Sequence, residues 1–492
     1  MTRSLTSSPS GATMLYWPCM KRFNKIFAVF FTLVLVGQGC TKGPTPEAQQ
    51  LSKPTTLNVW SVVDDIDVYQ PILNDFRAAF PNVEIRFRRF RLEEYENEIL
   101  NALSEDKGPD VFLIHNTWVG KYLPKIQPSP PSVRVAQQVV TGTVRKQVVY
   151  EVVEAKTISP RQYRQDFVDA VAKDGIRRVN VSTLADQPKF EDRVVAIPMS
   201  VDTLALYYNK DLLNTAGIAT PPDGWDQFQA QVRRLVRQNA LGEIVQAGAG
   251  FGTGSNVERS PDIMALLMMQ NGTVMADDNG YPTFERIPPD LASERDTPPA
   301  FEALGFYTDF ANPSKDVYSW NLSMPNSLDA FIQGSSAFFL GYSYHLPVIR
   351  ARAPKINLGI TKVPQITGNP EVNFANYWMW TVSKKAKNAD LAWHFVNFLT
   401  NATEAPKYLE AAKRPAARRA LLTSQLEDED IGVFSSQVLT AKSWYRGVDP
   451  KNAELAIIDM IDGVVQGTLD PRNALRLTSE KIAQTIQAPR TQ

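Results

Sequence analysis

The residues of this chain best suited to chemistry are aromatic rings placed beside short polar side chains, and the chemistry they suit is recognition. Trp60 precedes Ser61 and Asp64; Asn116 stands two residues before Trp118; Ser200 and Asp202 share one segment. Further on come Tyr342 with Tyr344, Asn376 with Trp378, and Trp444 with Tyr445. A sugar presents hydroxyls in a ring around apolar C–H faces. A site for it therefore needs flat aromatic platforms and side chains that both donate and accept hydrogen bonds. All these groups fall just after apolar strands or in loops, where α/β sheets place ligands. For any single ring a core position is as good a reading as a site position. For Trp380 and Trp393 core is the better one, because strand alternation and a helix stripe bury them.

Other chemistries find no support. His115, His345 and His394 are scattered, with no metal-ligand or catalytic spacing. His394 reads as a surface or packed residue. No nucleophile elbow, phosphate loop or kinase motif is present, and no two carboxylates are marked as a hydrolase pair. The glycine-rich residues 247–254 fail the dinucleotide pattern, since Thr253 or Ser255 takes the third glycine position. They read equally well as a loop bringing backbone to a ligand or as a linker. Asp277-Asp278-Asn279-Gly280 lacks the later ligands of a calcium loop and reads as a solvated turn. A binder is expected, with no enzyme activity, no cofactor and no metal.

Composition agrees. Fifty-two basic and 52 acidic residues cancel, so nothing favours nucleic acid or an anionic membrane. A length of 492 residues implies two or three domains. The two cysteines, Cys19 and Cys40, leave the body without a thiol.

The elements that must position these residues can be read in order. A strand around 57–60 is followed by a helix burying Ile72, Leu73, Phe76 and Phe80, and a second strand spans 83–87. A helix with Tyr95, Ile99 and Leu103 then leads to the apolar strand 111–114. This βαβαβ order predicts an α/β lobe with a mainly parallel sheet. Residues 128–160, with nine Val between Val133 and Val153, alternate as an inserted β-hairpin or two-stranded arm, with Gly142 at its turn. A helix is expected over 163–176. Residues 196–235 read as strand, helix, loop and helix: Asp211 as N-cap, Gly217 in the left-handed C′ position with Ile218 folding back on Leu213, and a second helix from Trp225 burying Phe228, Val232, Leu235 and Val236. Later helices are expected over 301–311, 327–333, 457–465 and 474–486, strands over 336–342 and 376–382, and a strong helix with Trp393, Phe395, Val396 and Leu399.

Tyr208-Asn209-Lys210-Asp211, Ala216-Gly217-Ile218 and Pro221-Pro222 ahead of Trp225, in this order, resemble the bacterial extracellular solute-binding proteins of the sugar-binding family, which serve ATP-driven importers. The departure is Gly224, where the family usually has Thr; glycine caps nearly as well. The order of the early strands, Ser383-Lys384-Lys385-Ala386-Lys387-Asn388 and the C-terminal region extend the resemblance over most of 55–490, the valine-rich stretch excepted. It implies an α/β, two-lobed, periplasmic-binding-protein-like (Venus-flytrap) fold with hinge-crossing segments, 356–363 among them. The lobes are expected at 55–192 plus 355–403 and at 195–350 plus 406–492. It further implies capture of a carbohydrate between the lobes by a monomer, and delivery to the permease of an ABC importer. It places Tyr342, Trp378 and Trp444 in contact segments, and sets Arg418 beside a family arginine that reaches the cleft. A non-sugar solute, a carbohydrate-active hydrolase and a surface adhesion protein are the alternatives.

The N-terminus resembles a bacterial lipoprotein signal. A basic stretch from Met20 to Lys25 precedes an apolar run over 26–36 too short to span a bilayer comfortably, and small residues lead to Cys40. Gly37 stands where the motif usually has Leu. Translation is expected to start at Met20, Cys40 to be lipidated as the first mature residue, and 41–54 to serve as a flexible tether holding the protein outside the cytoplasm.

Overall fold

The computed structural model describes residues 45–141, 146–182 and 187–486. Cys40, the stretch before it, residues 41–44 and Gly142 lie outside the described residues.

Two large hydrophobic cores, each built on one five-stranded sheet, divide residues 45–486 into two lobes. In the first, the spatial order is Val83–Arg89, Thr55–Ser61, Val111–His115, Trp378–Val382 and Ile197–Pro198. The first three strands run parallel and Trp378–Val382 is antiparallel to Val111–His115. Val111, Phe112, Leu113 and Ile114 are all buried, as a strand covered on both faces requires. Helix Ile66–Ala79 supplies Tyr69, Ile72, Leu73 and Phe76 to this core. The second lobe orders its strands Arg237–Gln238, Ile244–Ala249, Ser336–Gly341, Ala205–Asn209 and Leu358–Lys362.

The chain passes between the lobes three times, and the three passages pair with one another. Asn373–Asn376 lies in the middle of a small sheet, parallel to Ala441–Lys442 and antiparallel to Asp202–Thr203. The protein thus has the two-lobed α/β architecture of the periplasmic binding proteins, with hinge-crossing segments held edge to edge.

The structure corrects several expectations. Leu358–Lys362 does not cross back; it pairs with Ala205–Asn209 at the edge of the second sheet. Residues 405–422 belong with the first lobe rather than the second, because Tyr408, Leu409, Ala416 and Ala417 are buried in the first core. The tether is partly a helix: Pro46 takes its first position, Thr45 caps Ala48 N–H at 3.1 Å, and Ala48 is buried. The helix expected over 163–176 breaks in two at Phe167 and Val168, where the backbone turns extended to bridge Arg418. Asn209, not Asp211, caps the helix Lys210–Thr215, its Oδ1 accepting from the N–H groups of Asp211 and Leu212.

Ser132–Thr141 and Gln147–Lys156 pair antiparallel from Ser132↔Lys156 to Thr141↔Gln147. The base of this hairpin is core, since Val133, Val135 and Ala136 are buried and its first strand packs on helix Ala389–Leu399. Toward the tip, Val140 and Val148 are exposed. In the glycine-rich stretch, Gly254 and Ser255 aim their N–H groups at Asp462 at 2.6 and 3.0 Å, so the loop closes on its own chain. The turn at Asp277 is held by its carboxylate accepting from the N–H groups of Asn279 and Tyr281.

Candidate functional site

The C-terminal end of strand Thr55–Ser61 delivers Asp64 to the junction of the lobes. Helix Ala405–Ala412 brings Tyr408 there, the turn after it brings Arg414, the crossings bring Ser200, Asp202 and Asn376, and the second lobe adds Tyr344. Together with Trp378 and Trp380 they enclose a cavity of about 60 Å³.

Its polar groups form one chain of partners. Asp64 accepts the Tyr408 hydroxyl at 2.7 Å on one oxygen and Arg414 Nη2 at 3.0 Å on the other. Arg414 Nη1 points to the Ser343 hydroxyl at 3.4 Å. Ser343 in turn donates to Asp202, from its N–H at 3.1 Å and its hydroxyl at 2.7 Å. Burial weighs against the charge on Arg414, yet Asp64, Tyr408 and Asp202 around it lift its pKa above the usual guanidinium value. Burial raises the Asp202 carboxyl above the ordinary carboxylate range, opposed by Arg414 and the Ser343 bonds.

A second chamber of about 30 Å³ lies between Asn116 and Thr117 of the first lobe and Asp262, Trp444, Tyr445 and Glu454 of the second. Asn376 and Asp262 close the passage toward the first chamber, with Asn376 Nδ2 donating at 3.5 Å. His115 Nε2 lies 3.2 Å from Asn376 Oδ1 and Thr117 N–H donates to its Nδ1, which places the ring proton on Nε2. Burial lowers the His115 pKa. Below this chamber, Asp174 accepts from the hydroxyls of Tyr377 at 2.7 Å and Ser443 at 2.6 Å and meets Arg446 Nε at 3.4 Å. Ligand pockets usually hold about 300–1,000 Å³; the two chambers are smaller than that, and a wider space of about 730 Å³ opens beyond them beside Lys121, Val448 and Asp449.

The residues picked from the sequence separate into three sets. Asp64, Ser200, Asp202, Tyr344, Asn376 and Trp378 line the first chamber; Asn116, Trp444 and Tyr445 line the second. Trp118 stands behind Trp378, edge to face at 5.2 Å, and Ser61 is wholly buried beneath Asp64. The remaining three point elsewhere. Trp60 packs on Phe90 at 4.5 Å and lines neither chamber. Tyr342 is fully buried, its hydroxyl donating to Asp262 at 2.6 Å. Arg418 donates to Asp166 at 2.9 Å and to the Thr400 carbonyl at 2.7 Å, lying over the Phe167 ring. Arg414, not Arg418, lines the first chamber, where the family resemblance had set Arg418.

Sequence reasoning missed Arg414, Tyr408 and Tyr69. Arg414 precedes Pro415, whose carbonyl accepts Val201 N–H beside the first crossing. That Arg-Pro pair was the available signal. Tyr69 and Tyr408 sit on helix faces indistinguishable from core stripes, and their rings do stack at 5.0 Å.

With this geometry in place, comparison with known proteins defines the class. Residues 63–406 match the family model of the bacterial extracellular solute-binding proteins, and the chain belongs to that family. It is similar to the multiple sugar-binding protein of Streptococcus mutans, 24% identical over 235 residues, covering 47% of this chain and 53% of that one. It is also similar to the diacetylchitobiose binding protein DasA of Streptomyces coelicolor, 23% identical over 69% of this chain and 68% of the relative. The chain spans about half the length of several of the curated relatives it matches. Among solved structures, the sugar-binding protein MalE of Xanthomonas citri superimposes with a TM-score of 0.64 at 17% identity, covering 87% of this chain and 97% of that one. That likeness is one of fold.

Proposed function

We propose that this protein is the extracytoplasmic receptor of an ABC importer and captures a mono- or oligosaccharide between its lobes. The observation that carries this reading is the first chamber, where the rings of Trp378, Tyr344 and Tyr408 stand beside Asp64, Asp202, Asn376 and Arg414. Flat rings supply C–H stacking, and the polar set offers both donors and acceptors to hydroxyls. The relatives named as sugar-binding and diacetylchitobiose binding proteins support the same class.

Ligand joins the lobes by touching both, so it stabilises closure about the crossing segments as a shift of population. The protein acts as a binder and not as an enzyme, the closed form being offered to permease subunits. Among the described residues no helix is long and apolar enough to cross a membrane. Attachment is proposed through lipidated Cys40, and intact-mass measurement of membrane-extracted protein reads it directly as an acylated mature chain. The test of function is a thermal-shift screen over a carbohydrate library. A ligand at 100 times its dissociation constant adds about 2.7 kcal/mol. Shifts with peptides or polyols and none with any saccharide would end the carbohydrate reading.

A further inference from the structure

On the carbohydrate reading, the charges around the cleft narrow the ligand further. We infer that it takes uncharged saccharides and rejects those bearing a carboxylate or a phosphate.

An anionic sugar needs a free cation, and neither chamber presents one. Arg414 is the one cation in their lining and is already committed. Arg177, beside Asp174 with its Nη2 unpartnered among the described residues, and Lys442, next to Ser443, line neither chamber. Arg414, which lines the first chamber, gives Nη2 to Asp64, and its side chain is only 12% exposed. Arg259, behind the second, forks onto Asp262 with Nε and Nη2 both at 2.9 Å and reaches Glu454 at 3.1 Å. Arg446 faces Asp174. Lys121, at the open mouth beyond, is held by Glu96 at 2.6 Å. Arg88 has no ion pair among the described residues, but it lies over Phe90 and Trp60 and lines neither chamber.

Acceptors, by contrast, are in surplus. Among the described residues, Asp202 lines the first chamber with no ion pair of its own, its carboxylate bonded to Ser343 and the Thr203 N–H. In the second chamber Asp262 and Glu454 share the single Arg259. Asn116, almost wholly buried, has a carbonyl oxygen that no donor among the described residues meets. A hydroxyl entering there donates to an acceptor that lacks a partner. A carboxylate or phosphate brings more acceptors to the same place and loses its hydration without gaining a cation.

The test is calorimetry on the full chain with neutral di- and trisaccharides, followed by the counterpart of the best ligand oxidised at C6 to the uronate. The neutral sugar is expected to bind at least 30-fold more tightly than its uronate. Asp64→Asn, which releases Arg414, should narrow that gap at least tenfold. A uronate or sugar phosphate bound as tightly as the neutral sugar overturns the inference and leaves the carbohydrate reading standing. Failure of every saccharide, neutral or charged, overturns both.

Discussion

Arg414, carried by the first lobe, donates to Asp64 at 3.0 Å in its own lobe and extends Nη1 to within 3.4 Å of the Ser343 hydroxyl in the other. One guanidinium therefore ties the floor of the first chamber to its opposite wall. Ser343 passes the connection on to Asp202 in the first crossing, so the contact runs through the hinge as well.

Exchange of two arginines four residues apart should separate binding from folding. Arg414→Gln is expected to weaken the cognate sugar tenfold or more by calorimetry. Arg418→Gln loses its bonds to Asp166 and Thr400 and should cost about 1–3 kcal/mol of stability in urea. Its affinity should stay within threefold of the parent. A tenfold loss of affinity in Arg418→Gln at parental stability would reverse the assignment.

Trp378 and Tyr342 make a similar pair. Trp378 forms a wall of the first chamber, and truncating such an anchor usually costs about 2–4 kcal/mol of binding. Trp378→Ala should thus bind roughly 30-fold or more weakly and still fold. Tyr342→Phe removes a donor from buried Asp262, so its effect should appear in urea denaturation as a loss of about 1–3 kcal/mol.

How far these places were legible from sequence follows from periodicity. The strand Val111–His115 and the helix Trp225–Leu235, with Phe228, Val232 and Leu235 buried, carry patterns that local reading finds. Gly217 at φ +64° is likewise a local necessity. The site is less legible because it is assembled from distant turns. Asp64 and Arg414 are 350 residues apart, and nothing local says that they meet. Tyr342 misled for a related reason: it follows strand Ser336–Gly341 as a site aromatic does, but the buried carboxylate of Asp262, on helix Ser260–Gln270, claims its hydroxyl. The helix Pro46–Leu51 was legible after all, because Thr45-Pro46 is a helix start; the polar, proline-containing composition around it pointed to a tether instead.

The hairpin divides at Ala136. Replacing residues 137–151 by a short Gly-Ser turn keeps the buried Val133 and Val135 and should leave ligand affinity within about 1 kcal/mol. Removing 128–158 entirely strips those valines from the core, each worth about 1.5–3 kcal/mol, and uncovers helix Ala389–Leu399. That deletion should lower the unfolding free energy by about 3 kcal/mol or more.

Acid should destabilise the protein below pH 6.5. Burial holds His345 down to about 3 and His394 down to about 4, and lowers His115 as well. An unfolded histidine titrates near 6.5, so below that pH the unfolded chain takes up protons that the folded chain does not. Unfolding free energy therefore falls as pH drops from 6.5 toward the folded values. By pH 5 the loss from each of His345 and His394 is about 2 kcal/mol. Asp202, raised in the fold, works the other way: its contribution is present at acid pH and is lost as pH rises through its folded value. Urea denaturation of His394→Gln at pH 7 and pH 5 should show a shallower drop than the parent. An equal drop would remove His394 from the account.

Gly120 offers a way to hold the lobes apart without touching the ligand chambers. It sits in helix Val119–Tyr122 of the first lobe, and a Cβ there would stand 2.6 Å from the carbonyl oxygen of Arg446 and closer still to that of Gly447, both backbone atoms of the second lobe. Backbone yields less readily than a side chain, so the added methyl is relieved by separating the lobes. The helix itself gains from the change, since alanine is the better helix former. Gly120→Ala should fold with parental stability, keep every chamber residue, and populate the closed form less. Because the sugar binds most tightly when both lobes touch it, its apparent dissociation constant rises by the same factor by which the closed fraction falls. The expected result is a tenfold or greater loss of affinity, with a radius of gyration by solution X-ray scattering that shrinks less on adding ligand than the parent's does. Parental affinity and full compaction would show that the lobes close without the Gly120 to Gly447 contact.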